Sequence, residues 1–397
     1  MNLSAGSVLR RLYCAALAAV DPRRSVAKAL SEPAVAKALR GARRVGVFAV
    51  GKAAAGMFEA AARPGWQGLV VLPGGYPPPA RAGAGATVLF SAHPEPDASS
   101  VVAARSAIRF FSGFGRDDVV LCLVSGGSSS LLCLPRPGVT LAQKKRAVAR
   151  LVRRGAPISE VNRLRTSLSS IKGGKLGRMT AARLVTLVLS DVPGDRPSLV
   201  GSGPTIRRRR GDVTRVVGSN RIGLAGAAAE ARRLGFRPHV ERRRLDGEAR
   251  VAGRRLAARL LRISPGEVLL AGGETTVTLE RSGGIGGRNL EVALSAALVL
   301  EGKRGVLLLA AGSDGKDGTS SAAGAIVDGR TVERSRRLGA DPAGAISRHD
   351  TEPFFVRVGG LFRTGPTGTN VGDWAFGVRV LKAGQGTRNT GHEKKTK

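Results

Sequence analysis

Short apolar runs and helical segments alternate along the chain, and this alternation predicts its fold. Before residue 262, the runs of strand length lie at 44–50, 68–72, 87–91, 119–124 and 184–189. Segments with helical spacing lie between them, including 99–111, 141–153 and 159–170. Fully apolar strands that are separated by helices are typical of parallel sheets covered on both faces. We therefore predict an α/β fold that begins with a domain built on a largely parallel sheet.

The same rhythm restarts after a Ser-Pro-Gly stretch at residues 264–266. Strand-length runs follow at 267–270, 275–279, 305–310 and 325–327, with a helix predicted over 289–300. The stretch 190–218 is rich in glycine, proline and arginine and is predicted to be a long loop. We predict a first domain over residues 1–262, a second α/β domain over 263–385, and a basic disordered tail over 386–397.

Composition narrows the class of protein. A length of 397 residues suits two domains, and 42% hydrophobic residues suffice for a sizeable core. No apolar run reaches the roughly 20 residues that span a bilayer, so no membrane segment is predicted. Three cysteines are too few for a disulfide framework, which favours a reducing compartment, the cytoplasm.

The charge is unusual, because 64 Lys and Arg oppose 29 Asp and Glu and give a net charge of +35. Nucleic-acid binding depends on such charge. However, the basic residues are scattered along the whole chain, and their densest clusters contain no aromatic residues for base stacking. A solvated basic surface that attracts anionic substrates is therefore the favoured interpretation.

A turn of serine and glycine residues follows the predicted strand 119–124 and precedes a helix-compatible segment. Its residues are Ser125, Gly126, Gly127, Ser128 and Ser129. Such a turn exposes backbone N–H groups to an anion, and small residues let a phosphate or carboxylate approach the main chain. Taken alone, the turn is equally typical of an ordinary loop.

Charged residues after two other predicted strands are candidates for catalysis or metal binding. Lys52 lies just past strand 44–50, where a lysine can neutralise a transferring phosphoryl group. Asp191 and Asp195 follow strand 184–189, and Mg²⁺ needs only one or two carboxylates besides waters and phosphate oxygens. A surface lysine and an Asx turn are the alternatives that the sequence leaves open.

Polar residues in the remaining motifs are candidates for binding a substrate or phosphate. Asn162 and Arg165 share a helical face, and Lys172 follows just before a glycine pair. Arg288 stands at a glycine-rich helix start, while Asp314 and Asn370 belong to loops rich in glycine and hydroxyl groups. Each could be an ordinary turn or a solvated helix face. Their recurrence at strand ends favours a ligand site, because α/β sites form at the carboxyl ends of strands.

Taken together, these motifs resemble those of the glycerate kinase family, whose members pair an N-terminal Rossmann-like domain with a C-terminal MOFRL domain. In the first half the matching strings are VFAVGKAAAGM at 47–57, HPEPD at 93–97, LVSGGSSSLL at 123–132, VNRLRTSLSSIKGGKL at 161–176, SDVPGD at 190–195 and GSGPT at 201–205. In the second half they are GGETTV at 272–277, GGRNLE at 286–291, GSDGKDG at 312–318 and TGPTGTNV at 364–371. Each string is weak alone, whereas the ordered set is highly specific.

The resemblance implies ATP-dependent phosphorylation of D-glycerate to 2-phosphoglycerate, with Mg²⁺, in a cleft between the two domains. Lys52 and Arg288 would then act on the transferring phosphoryl group. Asp191 would be the base toward the attacking hydroxyl or, with Asp195, a metal ligand. The turn at 125–129 would hold a phosphate or the glycerate carboxylate, and Asp314 and Asn370 would line the cleft. The implied partners are glycerate and ATP, and a homodimer is compatible with the sequence.

Three positions depart from the family's pattern, since Leu290, Ser321 and Arg196 stand where a polar or acidic group is expected. Efficiency, metal affinity or substrate choice could differ as a result. Two other functions stay open, namely an NAD(P)H-dependent hydroxypyruvate reductase, which is a label often given to this family, and a nucleic-acid-binding protein on a degenerate kinase scaffold. The absence of a G-x-G-x-x-G fingerprint from the sequence argues against the reductase.

Overall fold

Two six-stranded sheets form the framework of the computed structural model, which describes residues 4–80, 85–156, 158–279 and 283–380. The strands are β1 (Val45–Val50), β2 (Gln67–Pro73), β3 (Ala86–Ser91), β4 (Val119–Val124), β5 (Arg183–Ser190), β6 (Val213–Ser219), β7 (Arg237–Val240), β8 (Glu267–Gly273), β9 (Val306–Gly312), β10 (Gly324–Asp328), β11 (Leu361–Phe362) and β12 (Asp373–Arg379).

Helices connect these strands and cover the sheets. They are α1 (Ala5–Ala19), α2 (Pro22–Leu30), α3 (Pro33–Leu39), α4 (Ala54–Ala61), α5 (Ala98–Ser112), α6 (Ser128–Leu131), α7 (Leu141–Arg153), α8 (Ile158–Ser167), α9 (Asn220–Arg233), α10 (Ala249–Leu260), α11 (Arg288–Leu300), α12 (Thr331–Arg337), α13 (Pro342–Ser347) and α14 (Thr351–Val358). Short 3₁₀ turns lie at Leu176–Met179, Pro193–Asp195 and Val200–Ser202.

The first sheet is parallel throughout and has the order β3-β2-β1-β4-β5-β6. Its central strands β1 and β4 are buried along their whole length, as their unbroken apolar runs predict. This confirms the α/β fold class. The prediction of a loop over residues 190–218 was wrong in its last part, because β6 lies there. That edge strand is only partly buried and carries Arg215, so its sequence lacks the apolar run of an inner strand.

The second sheet has the order β11-β10-β9-β12-β8-β7 and is mixed. β7 and β8 are parallel, whereas β12 runs antiparallel to both β8 and β9, between which it lies. The strand predicted at 275–279 is absent, because the chain leaves the sheet after Gly273, and Thr276 makes only an isolated bridge to Glu248. β7 joins this sheet although it precedes residue 262, and the domain boundary proposed there stays a prediction.

One apolar core joins the two halves of the chain. It contains side chains of α1, α4 and α9 together with one face of each sheet. Tyr13 of α1 is fully buried, its ring lies edge-on to Phe362 and Trp374, and its hydroxyl donates to the carbonyl of Gly312 at 2.6 Å. The opposite faces of the two sheets pack on separate cores, with α5 on the first sheet and with α10 and α11 on the second.

Strand ends from both sheets position the candidate site. At one edge of the first sheet, the carboxyl ends of β1, β4 and β5 lead directly into Lys52, the serine turn and Asp191. In the second sheet, Asp373 at the start of β12 is in register with Gly273 and Gly312, the last residues of β8 and β9. These registers bring residues that are distant in the sequence to one end of each sheet.

In the described part of the chain, none of the helices combines the length and the apolar character that crossing a bilayer requires. The tail predicted over 386–397 lies outside the described residues.

Candidate active site

The serine turn after β4 is fixed by hydrogen bonds of its own. The Ser125 hydroxyl accepts from the N–H of Ala53 at 3.1 Å and donates to the carbonyl of Val50 at 3.3 Å, so it braces the turn that carries Lys52. The helix expected after the turn is only the four residues of α6. An anion there would meet a single helical turn, whose dipole is correspondingly small.

The glycines of this turn leave room for protein side chains. A Cβ on Gly126 would lie 2.2 Å from Oδ2 of Asp191, and one on Gly127 would lie 3.1 Å from the His93 ring. Gly127 also has a φ of 84°, in the left-handed region that favours glycine. Close packing against Asp191 and His93 therefore explains the absence of bulk, which the sequence suggested was needed for an approaching anion.

Lys52 reaches across from the first half of the chain to the second. Its Nζ lies 3.5 Å from Oδ2 of Asp314, in the loop after β9, and only about a fifth of the Lys52 side chain is exposed (19%). Among the described residues this ion pair joins the strand ends of the two sheets directly. The two residues come from motifs 262 positions apart.

Arg288, the first residue of α11, is held by two carboxylates. Its Nε and Nη2 donate to the two oxygens of Asp373 at 2.6 and 3.0 Å, and its Nη1 donates to Glu274 at 2.6 Å. Such a two-point contact fixes the plane of the guanidinium. Burial raises the pKa of Asp373 to about 6, although Arg288 opposes this.

Asp191 follows β5 directly and faces the same region. Burial raises the pKa of its carboxyl to about 6; the nearby charge of Glu274 raises it further, and Lys52 opposes the increase. A carboxyl group with such a pKa is poised to exchange a proton near neutral pH.

These groups form one charged cluster, because Asp314 and Asp373 both approach Gly312. A Cβ on Gly312 would lie 3.3 Å from Oδ1 of Asp314 and 3.5 Å from Oδ1 of Asp373. The charged cluster consists of Lys52, Asp191, Glu274, Arg288, Asp314 and Asp373. The structure thus brings Lys52 and Arg288 into one network of acids and bases.

A pocket of about 690 Å³ adjoins the charged cluster at Asp191. Its polar lining includes Gly127 and Ser129 of the turn, Asn162 and Arg165 of α8, and Lys172. Its walls come from residues 93–202, which belong to the first half of the chain. Lys52 and Arg288 do not line it, and none of its described lining residues belongs to the second half of the chain.

Other predicted site residues are placed elsewhere. Asp195 has a φ of 52°, and its nearest described cation is Arg221, with 4.0 Å between Oδ2 and Nε. The Asn370 side chain accepts a hydrogen bond from the N–H of Gly372 and so caps its own loop. Ser128 lies against Gly201 and does not line the pocket. The ligand-binding roles of these residues stay predictions.

Sequence reasoning missed Lys144, which lines the pocket with only 4% of its surface exposed. Its neighbours in α7 include several exposed basic residues, so composition does not distinguish it. Its position in the helix does distinguish it, because Lys144 lies on the same stripe of α7 as the apolar residues Leu141, Val148 and Leu151. A lysine within an apolar stripe was the available signal.

The three positions that depart from the family pattern have local contacts. Leu290 is fully buried in the apolar core of the second half, the Ser321 hydroxyl donates to Glu352 at 2.5 Å, and Arg196 is exposed. In the part of the chain that the structure describes, none of the three side chains bonds to the charged cluster.

Comparison with known proteins places these observations in a family context. Residues 8–230 match the family described as a domain of unknown function, DUF4147, and residues 267–373 match the MOFRL family. The chain is 38% identical to a putative hydroxypyruvate reductase of Agrobacterium vitis, over 94% of each chain. It is 36% identical to a D-glycerate 2-kinase of Thermotoga maritima, over 72% of this chain and 79% of that protein. The crystal structure of a glycerate kinase from Thermotoga maritima superposes with a TM-score of 0.84 at 33% identity, covering 94% of this chain and 99% of the other.

Proposed function

Because the chain belongs to the glycerate kinase family and carries its DUF4147 and MOFRL parts in order, we propose that it phosphorylates D-glycerate with ATP to give 2-phosphoglycerate. The observation that carries this proposal is the contact of Lys52 with Asp314 beside Asp191. A cation and a proton-accepting carboxyl group stand together where the two halves of the chain meet. A cation and a base both promote phosphoryl transfer from ATP to a hydroxyl group.

The reaction assigns a separate role to each of these side chains. The 2-hydroxyl oxygen attacks the γ-phosphorus, the bond from that phosphorus to the bridging oxygen breaks, and ADP leaves. The hydroxyl proton passes to the Asp191 carboxylate, whose pKa of about 6 leaves it ionised at neutral pH. Lys52 offsets the negative charge that develops on the phosphoryl oxygens. Arg288, oriented by Asp373 and Glu274, adds a second cation.

The charged cluster also fits a divalent cation. It contains four carboxylates against two cations, so a bound polyphosphate would add negative charge to an excess already present. Within the described ranges no three His, Cys, Asp or Glu side chains form a metal-binding group of their own. Mg²⁺ commonly takes one or two carboxylates together with waters and phosphate oxygens. Asp314, which faces Lys52, would hold it and so leave Asp191 free to accept the proton, and the ion would supply neutralising charge on the phosphates.

The proposed activity can be tested directly. Purified protein with ATP, Mg²⁺ and D-glycerate should release ADP, and ³¹P NMR should identify 2-phosphoglycerate as the product. ADP release that does not exceed the control without glycerate would contradict the kinase. The 3-phosphate as sole product would correct the position of transfer.

The relative named as a putative hydroxypyruvate reductase makes a second assay worthwhile. Loss of NADH absorbance with hydroxypyruvate would reveal that activity, which the sequence disfavours because it lacks the dinucleotide fingerprint. We also propose that the protein acts in the cytoplasm, where its three unpaired cysteines would stay reduced. A homodimer stays a prediction, which light scattering on the purified protein would test.

A further inference from the structure

Three basic side chains meet beneath α7 and α8 without an acidic partner. Lys144 and Lys172 are 4% and 2% exposed, and Arg165 lines the same pocket. Among the described residues, no carboxylate lies within 4.0 Å of any of the three. We call Lys144, Arg165 and Lys172 the buried cation group.

The groups that satisfy these cations are neutral. Lys172 Nζ donates to the carbonyl and the hydroxyl of Ser129 at 2.7 and 2.8 Å. Arg165 donates to the Asn162 side chain at 3.5 Å. Lys144 Nζ is buried and has no hydrogen-bond partner in the described part of the chain, although the Cys133 thiol lies near it.

Such an arrangement opposes the stability of the unliganded protein. Burial lowers the pKa of Lys144 and Arg165, and burial together with the other two cations lowers the pKa of Lys172 to about 7. Buried charges in proteins are normally paired, because an unpaired one loses its hydration. In α7 the buried position is occupied by Lys144, while Leu141 and Leu151 on the same stripe are only partly buried. An anion in the pocket would supply the missing partner.

We propose that the buried cation group binds the carboxylate of glycerate, and that Lys144 makes the site selective for an acid over a neutral polyol. This inference rests on the proposed function and names the part of the substrate that the group recognises. It also adds Lys144 to the residues expected to contact substrate.

The position of the group favours the substrate carboxylate over the phosphates of ATP. Lys172 contacts Ser129, in the turn whose Gly126 packs against Asp191, and Asp191 lines the same pocket. In glycerate the carboxylate and the reacting 2-hydroxyl are on adjacent carbons, so their binding groups must be neighbours. The phosphates would lie beside Lys52, which does not itself line the pocket.

The test is Lys144→Met, which keeps the length of the side chain and removes its charge. We expect the KM for D-glycerate to rise by about 10-fold to 100-fold, as for loss of a hydrogen bond to a charged group. The KM for ATP should stay unchanged. Without ligand the variant should unfold at the same temperature as the wild type or higher, because an unpaired buried charge is gone. Arg150→Met, at an exposed position of the same helix, is the matched control and should change neither constant.

Thermal shift measurements without ATP separate binding from catalysis. D-glycerate should raise the unfolding temperature of the wild type but not of Lys144→Met, and Lys144→Arg should recover part of the effect. Glycerol, which lacks the carboxylate, should stabilise neither protein. Inorganic phosphate in place of glycerate tests a general anion site.

The outcomes distinguish this inference from the proposed function. A rise in the KM for ATP alone, unchanged constants for both substrates, or a Lys144-dependent shift with phosphate but none with glycerate would overturn the carboxylate site. A Lys144-dependent shift with glycerate in a wild-type protein that releases no ADP would support the site and refute the kinase. No shift with glycerate in any variant would refute the site, whatever the activity.

Discussion

Gly126→Ala tests whether catalysis requires Asp191 to remain where the structure places it. A Cβ at position 126 would lie 2.2 Å from Oδ2 and 2.7 Å from Cγ of Asp191, whereas ordinary contacts begin at 3.4 Å. The carboxylate must therefore move by about 1 Å, and a misplacement of about 1 Å at a reacting group can cost about 100-fold in rate. Because Asp191 borders the pocket, it can turn into free space, so the substitution should disturb the site more than the fold.

We expect kcat with D-glycerate to fall by about 100-fold while circular dichroism stays that of the wild type. Gly74→Ala is the matched control, because a Cβ there would meet no atom within 4 Å, and it should leave kcat unchanged. In an Asp191→Asn background, Gly126→Ala should have no further effect, since the two substitutions act through one carboxylate. Wild-type turnover in Gly126→Ala, or a fully additive loss in the double variant, would refute this reasoning.

Three further substitutions test other parts of the charged cluster. Lys52→Ala should lower kcat by about 100-fold to 1,000-fold with the fold retained, measured by steady-state kinetics and circular dichroism; full activity would remove Lys52 from the mechanism. Since the base must be ionised, wild-type kcat/KM should fall as pH drops through about 6, the pKa of Asp191, and residual activity of Asp191→Asn should lack that dependence; an identical profile would exclude Asp191 as the base. Arg288→Ala leaves Asp373 buried without its partner and should lower the free energy of unfolding by about 3 kcal/mol. This is the low end of the usual cost of breaking a buried ion pair, because the guanidinium is one-third exposed. The folded-state pKa of Asp373 already exceeds 3.8, so the loss should shrink at acidic pH, where the carboxyl is protonated; urea unfolding at acidic and neutral pH checks this, and a loss independent of pH would contradict it.

The sequence predicted those parts of the site that follow from strand order within a parallel sheet. Lys52, the serine turn and Asp191 come directly after apolar runs, and the carboxyl ends of parallel strands necessarily share an edge. β6 escaped prediction because an edge strand that is half exposed carries polar residues, which blur its apolar pattern. The same ambiguity made residues 275–279 resemble a strand, although they lie beyond the end of β8.

The remaining parts of the site depend on packing that the sequence pattern does not contain. Asp373 pairs with Arg288 because β12 lies between β8 and β9, and that strand order cannot be inferred from apolar runs. Lys144 differs from the other basic residues of α7 only in being buried beneath the helix. Of the glycines in the serine turn, Gly126 was predicted to admit a ligand, and only the structure shows that Asp191 occupies the adjoining space.

The contact of Tyr13 with the carbonyl of Gly312 means that α1 helps to build the region of the charged cluster. Gly312 stands two positions before Asp314, so deleting α1 should also disturb the carboxylate that pairs with Lys52. If the two halves of the chain were expressed separately, Trp374 would lose its contact with Tyr13 and become exposed to water. Neither half should therefore fold as an independent unit.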